Sequence, residues 1–241
     1  MASMTVLSII QRFAYAVGIP SPSTAYVNQS ADVQQMVELL NQEGRSLSRR
    51  HNWQALTFEA SFTTVATESQ GTLATIIGAT QELRGIVNST IWNRSTQMLI
   101  WGPLSNQTWQ AQKALGLTGP YSQYRIRGNT LRFDPAPTAG ETCYFEYISN
   151  CWCTDTTGAT YRRNVAADTD LMLLSDEIML AGLEWRWLRK KGLSYAEEFA
   201  TYEQMVSDAM SRDGTKRTLH MDGGIERRTP GIIVPQGSWP L

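Results

Sequence analysis

A chain of 241 residues can bury a sizeable core, and a hydrophobic fraction of 42% is ordinary for a globular protein. A formal net charge of −1 with 18% charged residues argues against a dedicated DNA-coating protein, which carries a basic excess. No apolar run is long enough to span a membrane, and three cysteines are too few for a disulfide framework.

The N-terminal stretch MASMTVLSIIQRFAYAVG has no basic leader and is interrupted by Gln11 and Arg12, so it reads as a helix and not as a secretory signal. Synthesis in a reducing cytosol is expected. The spacing predicts a first helix over 3–17, with Leu7, Ile10, Ala14 and Val17 on one stripe widened by Val6, Ile9 and Phe13. Gly18 and the prolines at 20 and 22 end it. A second helix, capped by Asn28 or Ser30, places Val33, Met36, Val37, Leu40, Gly44 and Leu47 on one side. Asp32, Gln35, Glu38, Gln42 and Arg45 lie on the other.

That helix runs into SLSRRHNWQAL. Arg49, Arg50 and His51 suit its last turn, where each exposed cation offsets the helix dipole by roughly 0.3–1 kcal/mol. Trp53 marks a corner, and the rhythm then alternates with Leu56, Phe58, Ala60 and Phe62 on one side of a strand. From Leu73 to Trp152 strands and turns dominate, with a short helix expected over 105–115 and ended by Gly116.

The clearest signal is YRIRGNTLRF. Gly128-Asn129 is a two-residue hairpin turn, because both residues tolerate positive φ. Folding there pairs Ile126 with Leu131 and Tyr124 with Phe133 on one face. Arg125 then meets Arg132 on the other, beside Arg127. Like charges directly opposite repel, so this basic face should meet solvent, acidic groups or a partner. A proline-rich turn leads to ETCYFEYIS, a strand with Cys143, Phe145 and Tyr147 on one side.

Two more helices follow. One starts near Ser175 and ends in Arg189-Lys190-Lys191-Gly192. It is apolar on two sides (Ile178, Ala181, Trp185, Leu188 and Met179, Leu183, Trp187), which suits the middle of a bundle. The other opens on a capping box, Ser194 to Glu197, and carries Phe199, Tyr202, Val206 and Ala209 inward until Arg212-Asp213-Gly214. The remaining residues, 215–241, are broken by glycine and proline yet hold Ile232, Ile233, Val234 and Trp239. Apolar anchors in such a tail point to docking on another surface.

No set of catalytic, cofactor-binding or metal-ligating residues emerges. Cys143, Cys151 and Cys153 with two distant histidines do not match zinc spacings. No nucleophile elbow, metalloprotease or phosphate-loop pattern occurs. The paired acids Asp176-Glu177 and Glu197-Glu198 sit in helix first turns, where the dipole favours them, and adjacent helical positions diverge by about 100°.

Taken in order, LLNQEGRSLSRRHNWQAL, NSTIWNRSTQMLIWGPLSNQTWQAQKALG, YRIRGNTLRFDPAPTAGETCYFEYISNCWC and EWRWLRKKGLSYAEEFATYEQMV resemble the head-to-tail adaptor family of tailed bacteriophages, also called tail tubular protein A or tail accessory factor. The resemblance implies an α+β fold: a helical bundle from 1–53 and 170–213, an inserted β-rich domain over 54–169, and an extended C-terminal docking tail over 214–241. It further implies a non-enzymatic ring, about twelvefold, between the portal protein and the tail nozzle or tail tube, through which genomic DNA passes without sequence readout. No cofactor and no membrane are implied. On this view Ile232, Ile233, Val234 and Trp239 dock on the portal, and Arg125, Arg127 and Arg132 form a channel or inter-subunit face. Rival readings are another neck component (head-completion or tail-terminator protein), a nucleic-acid-binding module, and a tail-associated hydrolase, which would need paired acids or a metal triad.

Overall fold

The computed structural model describes residues 4–78, 81–116, 119 and 121–214. Two helices open the chain, α1 (Val6–Val17) and α2 (Ala31–Arg50). The strand-rich middle holds β1 (Thr57–Thr63), β2 (Ser69–Thr72), a short α3 (Leu73–Ile77), β3 (Leu83–Ile86), β4 (Trp92–Asn93), β5 (Met98–Leu99) and α4 (Asn106–Leu115). It continues with β6 (Gln123–Arg127), β7 (Thr130–Asp134), β8 (Thr142–Ser149), β9 (Cys153–Thr154), β10 (Tyr161–Arg162) and β11 (Leu171–Met172). The helices α5 (Asp176–Lys191) and α6 (Ala196–Arg212) follow. The fold is α+β.

The helices form where apolar spacing and caps coincide. Thr5, and no earlier residue, caps α1 by accepting from the Ser8 amide at 3.2 Å. The buried face is Val6, Ile9, Ile10, Phe13 and Ala14, and the expected Val17 lies at the exposed end of the helix. The capping box expected at Ser194 does not form. Tyr195 stands at the N-cap of α6 and its side chain accepts nothing from the helix. On α6, Tyr202 and Val206 are buried as the spacing predicts, whereas Phe199 rests at the rim, 5.0 Å from the Trp185 ring. The helix apolar on two sides, α5, packs against α1, α2 and α6, which is why it needs no polar face toward them.

Among the described residues three antiparallel sheets make the rest. In the largest, β8 is central, flanked by β1 on one side and by β3 and β4 on the other, with β5 beyond β4. The register sets Phe58 opposite Tyr147, Ala60 opposite Phe145 and Phe62 opposite Cys143. The second sheet runs β2-β7-β6, and the third β10-β9-β11.

Two cores result. One, between the helices, includes Phe13, Met36, Leu40, Leu47, Leu183 and Trp187, and it also takes in Ile148, Trp152, Cys153 and Val165 from the strand-rich segment. The other lies under the β8-centred sheet and the hairpin, with Tyr124, Leu131, Phe133, Cys143, Phe145 and Tyr147. Trp152 ties strand region to bundle: it is fully buried, and its Nε1–H donates to the Arg163 carbonyl at 2.6 Å. Burying an aromatic of this size removes about 150–250 Å² from water, worth at most about 4–6 kcal/mol. Its ring occupies the space over Gly44, where a Cβ would come within 2.2 Å of the indole.

Candidate interaction interface

The hairpin folds as its turn chemistry dictates. Gly128 and Asn129 both have positive φ, 55° and 61°, and the register pairs Tyr124 with Phe133, Arg125 with Arg132 and Ile126 with Leu131. Tyr124, Leu131 and Phe133 are buried, and burial pushes the Tyr124 hydroxyl up to about 12. On the outer face the arginines are drawn apart. Arg132 pairs with Glu68 at 2.9 Å, and Arg125 donates to the Asn106 side chain at 2.8 Å. Lys113 of α4 bridges Glu68 at 3.2 Å and Asp134 at 2.9 Å. Burial works to raise the Glu68 carboxyl, but the hydrogen bonds from Arg132 and Lys113 outweigh it and hold the group below the usual carboxylate range. Acidic and amide groups therefore meet two of the three arginines. Arg127, at the exposed hairpin tip, makes no side-chain bond among the described residues.

SLSRRHNW is a helix end. α2 stops at Arg50, and His51, in extended conformation, is its C-cap. Arg50 pairs with Glu203 of α6 at 2.6 Å. The guanidinium of Arg84, reaching over from β3, donates to the carbonyls of Ser48, Arg49 and His51 at 2.7, 2.8 and 2.9 Å. Those carbonyls have no partner within the helix, so one side chain satisfies three of them and bolts the large sheet to the bundle. His51 lies 3.3 Å from Asp213 and edge-on to Trp53, whose Nε1–H donates to the Leu47 carbonyl at 2.7 Å.

One residue that the sequence reading passed over is central. Glu43 is fully buried on α2. It accepts from Arg186 Nε of α5 at 2.6 Å and from the Tyr202 hydroxyl of α6 at 2.5 Å. Burial and the neighbouring Glu43 charge raise the Tyr202 hydroxyl well above its ordinary value. The approach is close enough that Gly182 is the only size that fits: a Cβ there would lie 2.3 Å from the Glu43 carboxyl carbon. The signal was present, since Glu43 stands three residues after Leu40 and four before Leu47, within the apolar stripe.

Among the described residues no three His, Cys, Asp or Glu side chains cluster to hold a metal. All three cysteines are buried, and burial pushes the Cys143 and Cys153 thiols up to about 12, away from the reactive thiolate. No helix among the described residues is long and apolar enough to cross a membrane. What the surface does offer is aromatic area. Trp92, opposite both Tyr144 and Leu99, lies on the outer face of the large sheet, and Trp101, beyond β5, is bridged to Gln123 of β6. Trp92 is 42% and Trp101 56% exposed, the pattern of contact surface more than of core. The expected docking residues Ile232, Ile233, Val234 and Trp239 lie outside the described residues.

The family model described as SU10 adaptor protein matches residues 4–228, which takes in the helices and the strand-rich middle together. No curated protein matches the sequence. The description differs from the tail tubular protein A family that the sequence resembles; what the two share, a phage adaptor, stands.

Proposed function

This chain belongs to the SU10 adaptor protein family, a family of phage adaptors, and on that premise we propose that it is a non-enzymatic adaptor of the head-to-tail junction. It assembles as a ring, about twelvefold, between the portal protein and the tail nozzle or tail tube, and extends the channel through which genomic DNA passes. The observation that carries this reading is the match across residues 4–228, since it covers bundle and β-rich region as one unit. Two features support it. Exposed Trp92 and Trp101 suit a permanent interface. A net charge of −1 with basic groups gathered locally suits a conduit that lets DNA slide.

In this reading residues 54–169 are the inserted β domain, and the segment 214–241, with Ile232, Ile233, Val234 and Trp239, docks on the portal. Arg127, with Arg125 and Arg132 behind it, faces the channel or a neighbouring subunit. Isolated subunits need not close a ring. A heterologous contact that is weak in solution strengthens when the portal holds neighbours at high effective concentration. Co-sedimentation with the portal from the same genome, with and without residues 215–241, tests the proposal. Stoichiometric binding that requires the tail is expected; a folded protein that never binds the portal would overturn it.

A further inference from the structure

The bundle carries two grooves of opposite charge. The larger, about 840 Å³, lies between α2, α5 and the loop at 163–164; Arg45, Arg49, Arg163 and Arg186 line it, with Glu82 as the acid among them. It adjoins a smaller hollow that shares Arg186 and adds Trp185, Arg189 and Lys190. Some of this charge is met from within: Arg45 reaches Glu38 at 2.9 Å and Arg163 reaches Glu82 at 3.4 Å. Arg186 is held rigidly, its Nε on buried Glu43 and its guanidinium 4.5 Å over the Trp185 ring. Arg49, Arg189 and Lys190 have no acidic partner among the described residues, and the buried Trp185 Nε1–H has no acceptor there.

The second groove lies between α5 and α6. Its lining is Ala181, Glu184, Glu197, Glu198 and Thr201, with no cation, and the three carboxylates make no ion pair among the described residues. Glu184 and Arg186 are two positions apart on α5, which turns them by about 200°. One helix thus presents an acidic groove to one side and a basic groove to the other. A two-fold contact sets residue i against j and j against i, so it would match basic to acidic only if both grooves met the same partner copy, which their placement on opposite sides of α5 prevents. With the two grooves facing opposite ways, a contact that sets basic against acidic is head-to-tail, and its repetition generates a closed ring or a filament.

We infer that these grooves are the two halves of one contact between copies of this chain: the basic α2–α5 groove of one protomer seats the acidic α5–α6 edge of the next. The inference rests on the ring reading above and deepens it by naming the surfaces. The guanidinium of Arg186, preset by Glu43 and Trp185, loses little freedom when a neighbour's carboxylate arrives. Long-range attraction between the grooves orients the encounter and makes assembly sensitive to salt.

The test uses two charge-reversed full-length proteins, one with Arg49→Glu and Arg189→Glu, the other with Glu184→Lys and Glu198→Lys. Each is incubated with the portal, alone and mixed one to one, and the mass of the complex is measured. Each variant alone places like charges across every contact, so its neighbour-to-neighbour association weakens on the order of a hundredfold. The mixture restores assembly, because alternating copies again oppose unlike charges. Circular dichroism verifies folding, and a milder pair, Arg49→Gln with Arg189→Gln, replaces any variant that fails to fold; it should assemble more weakly than wild type. Variants that assemble like wild type, or folded variants that mixing does not rescue, overturn the inference and leave the ring. Loss of DNA retention with the ring intact assigns the basic groove to phosphate and likewise overturns it. A wild-type protein that forms no ring even on the portal removes the ring reading itself, and the inference with it.

Discussion

Replacing Glu43 by Gln exchanges one carboxylate oxygen for an NH2 group and should cost more than any surface ion pair. The carboxylate is fully buried, and its two oxygens accept from Arg186 Nε at 2.6 Å and the Tyr202 hydroxyl at 2.5 Å. Glutamine supplies one acceptor and one donor, so one of those donors faces an amide N–H. Losing a charge-assisted bond costs about 1.5–3 kcal/mol, and leaving a buried donor unpaired about 1–3 kcal/mol. Arg186 keeps 17% of its side chain exposed and regains some water, which brings the expected net to about 2–4 kcal/mol. For a chain of this length each kcal/mol lowers the melting temperature by roughly 2–4 °C, so a fall of about 5–15 °C is expected. Thermal unfolding followed by circular dichroism measures it, with Glu38→Gln as reference. Glu38 pairs with Arg45 at the surface, 57% and 30% exposed, and its loss should cost below about 1 kcal/mol. A Glu43→Gln melting point indistinguishable from that of Glu38→Gln would refute the claim that this carboxylate locks α2, α5 and α6 together.

Other positions give sharper contrasts. Gly44→Ala, which in an open helix would gain about 1 kcal/mol, should here lose about 1–3 kcal/mol because the new Cβ meets the Trp152 indole; denaturant titration and near-ultraviolet dichroism report it. Arg84→Leu leaves the Ser48, Arg49 and His51 carbonyls without their donor, costing about 2–3 kcal/mol, and amide exchange should quicken in the last turn of α2 before anywhere else in that helix. Glu68 is held below its ordinary value of 4.5, so its stabilisation is complete above that pH and disappears as pH falls through the lowered folded value. Lys113 is raised despite burial, by Asp134 and Glu68, so its share is complete below 10.5 and fades as pH rises through the folded value. With these side chains about a third exposed, screening limits the cluster to below about 1 kcal/mol. Glu68→Gln should therefore destabilise at neutral pH and converge with wild type in acid; parallel curves at every pH would contradict the pairing.

How much could be read beforehand depended on how local the cause was. The Gly128-Asn129 hairpin, the register of Tyr124 with Phe133, and the two-sided apolar pattern of α5 follow from turn chemistry and periodicity over a few residues. The pairing of β1 with β8, and of β2 with β7, joins segments far apart in sequence, and no local signal marks it. Two-residue strands such as β4, β5 and β9 are too short to show alternation. α3 hides in what reads as strand because Thr72, capping through the Thr75 amide, starts a single turn. Glu43 stands in the apolar stripe of α2, which marks it for burial, but its partners Arg186 and Tyr202 lie 143 and 159 residues further on, where no local spacing points to them. The basic hairpin face was legible, but not that Glu68 and Asn106 would meet it, since one lies on the neighbouring edge and the other at the start of α4.

Imaging the virion neck at side-chain resolution would place this chain outright. A ring of copies of this chain is expected between portal and tail, each with its α1, α2, α5 and α6 bundle beside the next and an open DNA channel through the middle. Density for this chain elsewhere in the particle, or its absence from the neck of an intact tailed virion, would contradict it.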